Sequence, residues 1–405
     1  MIADEQQKLK MGVLFKLATR IYGVNVVDPI KGVGETIKED VEGLYKINDS
    51  SVAPPQQRAN EIVFHKGITT KLVYNSQSHL SIRKFDEGYF LFSDYNLEPL
   101  TSIRFSKRPE HYNMETSQGT PMKNIGQAMG MDCLAIAVDK QCSYFKNGDF
   151  CRYCNISPTN LKSGIPRFSS LEDIAELIKA SGNKFRFFDL TGGTFENTNE
   201  ECKTYTKIGE VIKNNLAKKG KYGGPFSFTP PDDLNLLDKL YETDVDVISF
   251  NMDIWDLNVL KEICPGKSKI GRNHYTKALL YAKELWGRGN VVMQFLVADW
   301  ESNESYLEGI KYYLDQGILV NITTFKPSPG STLFKVGKSK SFIELTNLYI
   351  SYGELIKEYG LFPNDRGSIL TSHISNRSSI ANETARGWLT RENFEYKDLE
   401  HLVRK

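Results

Sequence analysis

The chain has 405 residues, 51 of them Lys or Arg and 50 Asp or Glu. That balance leaves no overall field to steer the protein to nucleic acid or anionic lipid, and no run approaches the ~18 apolar residues of a membrane helix. With 40% hydrophobic residues, the length suffices for a large buried core in one domain or two.

In chain order, the opening MIADEQQKLKMGVLFKLATRIYGVNVV places acidic residues ahead of its apolar part, which Lys16 and Arg20 then interrupt. That is unlike a secretory leader and predicts a cytoplasmic protein. Met11, Leu14, Phe15, Ala18, Ile21 and Tyr22 recur at helical spacing, so the segment reads as a docked amphipathic helix. After APPQQ, β-like segments at Glu61–Phe64, Thr70–Tyr74, Tyr89–Phe92 and Ile103–Phe105 are punctuated by Gly, Asn, Asp and Pro. These predict an N-terminal α+β region over residues 1–125.

From about residue 130 the pattern changes. Apolar strands are expected at Leu134–Val138, Phe185–Leu190, Pro225–Thr229, Val247–Asn251, Val291–Val297 and Leu319–Phe325. Helical patterns follow at Leu171–Ala180, Val211–Lys218, Leu234–Glu242, Tyr275–Leu285, Tyr306–Asp315 and Phe342–Tyr359, the first opening on a capping-box-like Ser170-x-x-Asp173. Six βα repeats with nearly continuous apolar strands imply an α/β fold, a partial (β/α)6 TIM-like barrel over residues 126–360. The chain is too short for an eightfold barrel after its N-terminal region. Residues 361–405 form a C-terminal extension to which no chemistry is assigned.

Three of the six cysteines fall in one loop directly after the first strand of this array: Cys142, Cys151 and Cys154, in Gln141-Cys142-SYFKNGDF-Cys151-Arg152-Tyr153-Cys154. Thiolates held so close repel one another unless a soft metal binds them. Structural zinc sites usually recruit two short Cys/His pairs, whereas this loop has one CxxC pair and no His. A redox CxxC would not need Cys142, and Cys133, Cys202 and Cys264 lack the spacing of a disulfide framework. Three thiolates are one short of closing a four-iron, four-sulfur cluster, and an iron left open can bind a substrate. Zinc and redox roles stay as alternatives to that cluster.

Cysteine loop and strand ends together resemble the radical S-adenosylmethionine superfamily, with its biotin-synthase-like barrel, over about residues 130–335. Tyr153 between the last two cysteines belongs to that pattern. The spacing here, Cys-x8-Cys-x2-Cys, is longer than the common Cys-x3-Cys-x2-Cys, and Cys133, at the start of its strand, is expected at the opposite end of the barrel. Leu190-Thr191-Gly192-Gly193-Thr194 resembles the Gly-Gly-Glu motif, with Thr194 in place of Glu and Glu196 nearby. The resemblance implies that Gly192, Gly193 and Thr194 face the methionine amino group. Ser249-Phe250-Asn251-Met252-Asp253 is similar to ribose-binding strand ends, which implies roles for Asn251 and Asp253. Arg272 resembles the partner of the methionine carboxylate. A solvated strand end and a surface Arg are the plainer alternatives at these last two places. Gln294–Glu301 looks like a degraded adenine-side motif, and Phe325–Ser331 resembles the Pro-x-Pro-Gly-Thr segment that closes such barrels. The lead-in Gly130–Ala135 is similar to radical enzymes encoded beside nitrilases.

What the resemblance implies is a [4Fe–4S] cluster on Cys142, Cys151 and Cys154 whose open iron chelates S-adenosyl-L-methionine. One electron, from a donor such as flavodoxin or ferredoxin, cleaves it to a 5′-deoxyadenosyl radical. That radical abstracts hydrogen from a small-molecule substrate in cofactor or secondary metabolism. Neither a cysteine-rich auxiliary domain nor a cobalamin domain is evident. Cys264 is a candidate hydrogen donor or a buried inert thiol, and Tyr153, His274 and Trp300 are candidate pocket residues. Two other classes stay open. RNA modification is disfavoured by the balanced charge and the lack of a basic tail. A non-enzymatic iron–sulfur or zinc protein would not need the Gly-Gly turn and the Pro-rich segment on successive strands.

Overall fold

Helix α1 (Ile2–Tyr22) carries Asp4 and Glu5 in its first turn and Arg20 in its last, charges that suit the helix dipole. It buries Val13, Leu14, Phe15, Leu17 and Ala18, but Lys10, Lys16 and Arg20 are buried as well. The helix is therefore embedded, not laid on a surface by one face. Lys16 pairs with Glu383 at 3.2 Å and Lys10 with Asp398 at 2.8 Å, so the two ends of the chain meet through internal ion pairs. In this computed structural model the described residues are 2–26, 37–38, 58–59, 61–105, 109–129, 133–217, 219–361 and 379–403. The APPQQ segment, the lead-in Gly130–Asp132 and residues 362–378 of the C-terminal extension lie outside them.

The N-terminal region contributes β1 (Asn25–Val26), β2 (Ile37–Lys38), β3 (Arg58–Ala59), β4 (Glu61–Val63), β5 (Thr69–Lys71), β6 (Leu80–Phe85), β7 (Gly88–Ser93) and β8 (Thr101–Phe105). Six of them form one sheet in the order β1-β6-β7-β8-β4-β5, while β2 and β3 pair with each other. Strand β6 escapes a reading by periodicity because its first half is buried and its second half, with Arg83 and Lys84, is exposed.

The second sheet has seven strands: β9 (Gly126–Met129), β10 (Cys133–Ala137), β11 (Phe187–Thr191), β12 (Phe226–Phe228), β13 (Ile248–Asp253), β14 (Val291–Val297) and β15 (Leu319–Thr324). The last six run parallel in chain order, each within three residues of its expected start. Strand β9, which the sequence did not suggest, adds an antiparallel edge beside β10. The helices are α2 (Ile156–Ser163), α3 (Leu171–Ser181), α4 (Thr198–Asn215), α5 (Leu236–Tyr241), α6 (Leu257–Ile263), α7 (Pro265–Ile270), α8 (Arg272–Trp286), α9 (Asn303–Asp315), α10 (Phe342–Glu358) and α11 (Ser379–Ala385). Ser170 accepts from the Asp173 backbone N–H at 3.0 Å, the expected cap of α3. Helix α4 begins well before its apolar pattern at Val211 because Asn197 caps a polar first half.

This is the partial parallel barrel that the βα pattern predicted, a curled sheet with helices outside. Alternation along the strands sorts its two faces. Outward residues such as Phe188, Leu190, Phe226, Ile248, Phe250, Met293, Phe295 and Ile322 merge with the helices into one core. The registers place Ala135, Asp189, Thr191, Ser227, Asn251, Gln294, Asn321 and Thr323 on the inner face. Cys133 packs with Phe187 and Met129 at the amino-terminal end of that face, opposite the cysteine loop.

Candidate active site

After β10 the chain crosses the carboxyl ends of the parallel strands, where ligands of such sheets gather. Buried Asp139 opens the crossing, held by Arg167 at 2.7 and 2.5 Å. The loop is then tied down in several places. Ser143 N donates to Thr194 O (2.8 Å) after β11, Arg152 N to Ile263 O (2.8 Å), and Gly266 N back to Asp149 O (3.0 Å) in the helical turns after β13. Leu333 N donates to Arg152 O (3.2 Å), and Asn155 Nδ2 donates to Pro329 O (2.9 Å) in the Pro-rich segment after β15.

The two glycines after β11 serve this seating. A Cβ on Gly193 would lie 1.6 Å from the Gln141 carbonyl oxygen, and one on Gly192 2.8 Å from the Asp139 nitrogen. Both positions exclude a side chain because the strand end presses on the incoming cysteine loop, and Gly193 N donates to Asp139 O (2.9 Å). Thr194 shares a 2.9 Å hydroxyl contact with Thr229 after β12. Gly266 plays the same part on the other side, where a Cβ would meet the Tyr144 ring at 2.7 Å.

All six cysteines are free. Burial pushes the Cys142 thiol up to about 11 and Cys154 up to about 12, and each also feels the charge of Cys151. Cys151 goes the other way: the Cys264 thiol, within hydrogen-bond reach, and the nearby Lys267 hold it below the ordinary thiol value against the effect of burial. Cys264 is thus a buried thiol facing a cysteine of the loop. Burial alone would depress Lys267, but Asp253 and Cys151 beside it keep its ammonium well above the usual range. Among the described residues no three His, Cys, Asp or Glu side chains converge as they stand on a metal-ion position. The three loop sulfurs would therefore have to draw together to share a cluster.

Asp253 joins the loop to the sheet. It is buried, with a left-handed φ of 74°, so it is not a solvated strand end. Tyr153 Oη donates to its Oδ2 at 2.6 Å, Lys267 Nζ pairs with the same oxygen, and Gln294 Nε2 donates to Oδ1 at 3.3 Å. Lys267 Nζ also donates to the Asn251 carbonyl at 2.5 Å, while the Asn251 side chain accepts from Ser249 Oγ at 2.5 Å. Cys151, Tyr153, Asn251, Asp253 and Lys267 therefore form one neighbourhood.

Arg272 is engaged elsewhere: its guanidinium stacks 3.7 Å over the Trp255 ring and donates to the Trp255 carbonyl. Glu301, from the adenine-side stretch, is buried and accepts from the Trp255 and Asp256 backbone N–H groups at 3.2 and 2.9 Å, fixing the turn after β13. Trp300 packs with Tyr153, Leu296 and Phe325 beneath the loop. An open cleft of about 860 Å³ lies beside the cysteine loop, lined by Ser143, Tyr144, Thr194, Phe195, Gly266 and His274 among others.

Sequence reasoning missed Lys267 and Glu201. Lys267 stands in the Cys264-Pro-Gly-Lys stretch ahead of Arg272, and its ammonium points into the barrel mouth. Glu201 is buried in the first turn of α4, pushed up to about 8 by burial although the Thr229 and Phe195 N–H groups, both at 3.0 Å, favour its charged form. A carboxylate in the first turn of the helix that follows a Gly-Gly strand end was the available signal.

No family model matches the chain. It is 22% identical over 264 residues to bacteriochlorophyllide c C-7(1)-hydroxylase of Chlorobaculum limnaeum, a match covering 58% of this chain and 64% of that protein. The chain therefore spans just under two thirds of that relative. Among solved structures it is loosely similar to methylornithine synthase, with a TM-score of 0.44 and 18% identity over 60% of this chain and 70% of that one. A second, coproporphyrinogen III oxidase from Escherichia coli, is described as a radical SAM enzyme and gives a TM-score of 0.39 and 11% identity over 59% and 55%.

Proposed function

We propose that this protein is a radical S-adenosylmethionine enzyme in which Cys142, Cys151 and Cys154 hold a [4Fe–4S] cluster and a small molecule in the barrel is the substrate. The observation that carries the reading is the seat of the loop: three thiols on one segment laid over the carboxyl ends of parallel strands, tied to β11, to the turns after β13 and to the segment after β15. The donor set suits such a cluster, because three free soft thiols leave one iron without a protein ligand. When bound, the cluster would supply the electron for reductive cleavage of S-adenosyl-L-methionine to a 5′-deoxyadenosyl radical.

The chain's own residues prepare that site. Lys267 offsets the negative charge of the thiolates, and the Cys264 thiol hydrogen-bonds Cys151. Tyr153 fixes the loop to Asp253. Asn251, Asp253, Thr194 and the Gly192–Gly193 backbone offer polar groups at the mouth, where we place the cofactor's amino-acid and ribose ends. Arg272 would have to leave Trp255 to meet a carboxylate, so we assign that contact to Lys267 first. We place the enzyme in the cytoplasm with a flavodoxin- or ferredoxin-type electron donor; among the described residues no helix is long and apolar enough to cross a membrane.

Anaerobic reconstitution of the full chain tests this. About four irons per chain, a spin-resonance spectrum perturbed by S-adenosyl-L-methionine, and 5′-deoxyadenosine after dithionite reduction are expected. Cys151→Ser should lose all three while keeping its thermal unfolding transition. Zinc in place of iron, or a fully loaded cluster without cleavage under either dithionite or flavodoxin, would move the loop to a structural or electron-transfer role.

A further inference from the structure

One thiol from outside the loop is built against it. Cys264 follows the last residue of α6 and is fully buried, while Cys151 in the loop is 8% exposed. Two backbone hydrogen bonds bracket the pair. Arg152 N donates to Ile263 O at 2.8 Å, and Gly266 N donates to Asp149 O at 3.0 Å. The two segments therefore pass each other in opposite directions, and in that register Cys151 stands opposite Cys264. Antiparallel positions opposed in this way hold their Cα atoms about 4.5–5.5 Å apart, inside the range of about 4.4–6.8 Å that a disulfide spans. The side chains follow the backbone, since the Cys264 thiol hydrogen-bonds Cys151.

The other thiols are placed differently. Cys142 and Cys154 are partly exposed. Cys154 lies one turn on from Cys151 in the same segment, its N–H donating to Cys151 O at 2.9 Å. Cys133 packs with Phe187 and Met129 at the far end of the sheet, and Cys202 is buried within α4. Of the three cysteines outside the loop, Cys264 is the one that backbone bonds set against a loop cysteine.

Resting on the reading of Cys142, Cys151 and Cys154 as cluster ligands, we propose that Cys264 is a resolving thiol. Before cluster insertion it closes a reversible disulfide with Cys151, so that insertion depends on the thiol redox state around the protein. The oxidant is hydrogen peroxide. Cys151 sulfur attacks one peroxide oxygen, the O–O bond breaks, and a sulfenic acid and one water form. Cys264 sulfur then attacks the Cys151 sulfur, the S–O bond breaks, and a second water leaves. The two thiols have lost two electrons and two protons, and the peroxide has become two waters. The disulfide removes one of the three iron ligands until a dithiol reductant reopens it. It also stops Cys151 short of the sulfinic acid, which thiols do not reverse. Once iron holds the Cys151 thiolate, that sulfur no longer takes this course, so the device acts before insertion and not after it.

The full chain, stripped of metal and treated with an equimolar amount of hydrogen peroxide, tests this by peptide mapping without reductant. A Cys151–Cys264 peptide pair two hydrogens lighter than the sum of its parts is expected. Iron uptake on reconstitution should be lost while the bond is closed and return after dithiothreitol. Cys264→Ala cannot close the bond, so the same treatment should cost it iron uptake, measured against its own untreated sample, that dithiothreitol does not restore. Wild type that joins Cys151 to Cys142 or Cys154, or that forms no disulfide, would overturn the inference, as would full recovery in Cys264→Ala. The wild-type map decides even where the variant loads no iron of its own. It involves neither iron nor S-adenosyl-L-methionine, so zinc in the loop or absent cofactor cleavage would sink the radical reading and leave the disulfide result standing.

Discussion

Gly193→Ala is the sharpest probe of how the cysteine loop is seated. The new methyl carbon would lie 1.6 Å from the Gln141 carbonyl oxygen and 2.7 Å from the Cys142 Cα, both backbone atoms that cannot rotate away. Reaching even the 3.0 Å floor of real Cβ contacts needs the loop and the strand end to part by about 1.4 Å. That parting strains two hydrogen bonds, Gly193 N to Asp139 O and Ser143 N to Thr194 O, each contributing about 1 kcal/mol. Overpacking adds about 1–3 kcal/mol, and the stiffer unfolded chain returns about 0.5 kcal/mol. A net loss of roughly 3 kcal/mol is expected in urea unfolding, with an unchanged m-value. Because the displaced atoms belong to Gln141 and Cys142, iron bound per chain after reconstitution should fall as well. Gly192→Ala, whose Cβ meets Asp139 at 2.8 Å, should lose less of both. Wild-type stability together with full iron loading in Gly193→Ala would show that the strand end does not press on the loop, and the seating argued above would be wrong.

Tyr153→Phe removes a 2.6 Å bond to a buried carboxylate that keeps Lys267 and Gln294 as partners. It should cost about 1–2 kcal/mol and speed the loss of iron to a chelator; unchanged release would mean that Tyr153 does not hold the loop. Lys326 offers a test by pH. Burial depresses its ammonium to about 7 from the ordinary 10.5, so between those values the folded protein binds fewer protons than the unfolded chain. Stability should therefore rise as pH climbs from 7 toward 10.5, with the full penalty present below 7. Lys326→Met should flatten that rise in urea midpoints at pH 6, 8 and 9.5, and an unaltered slope would assign it to other groups.

The parallel strands were legible because most of their positions are apolar and buried, with polar residues such as Asp189, Asn251 and Gln294 confined to the inner face, and such runs need no partner to be seen. Strand β9 was not, since Gly126–Met129 is too short and mixed to stand out until it pairs with β10. The first half of α4 is polar in sequence, although it buries Glu201, Cys202, Tyr205 and Thr206, so only its Asn197 cap announces it. At the site, the cysteine loop and the Gly-Gly turn could be read because each is a local pattern. The partners of Asp253 could not, because they come from loop, helix and strand positions far apart in the chain. Glu301 and Arg272 show the reverse: residues of the right type near the expected place whose bonds go to Trp255 and Asp256 around the turn after β13. Their chemistry was readable from sequence, but the direction of the side chain was not.

Asp253 explains why position 253 holds a carboxylate on a strained backbone. A φ of 74° is uncommon for a residue with a Cβ, although Asp and Asn tolerate it better than most. The conformation ends the strand with the side chain turned toward the mouth, where three donors meet it: a phenol from the cysteine loop, an ammonium from α7 and an amide from β14. Only a group that accepts at both oxygens can serve all three. An amide would turn an NH2 against Tyr153 and Lys267 on one side or Gln294 on the other, leaving donor facing donor in a buried site. The same carboxylate fixes the orientation of Gln294 and, through it, of Asn321. The strain at one strand end therefore sets both the position of the loop that carries the thiols and the orientation of the amides on the inner face of the sheet beneath it.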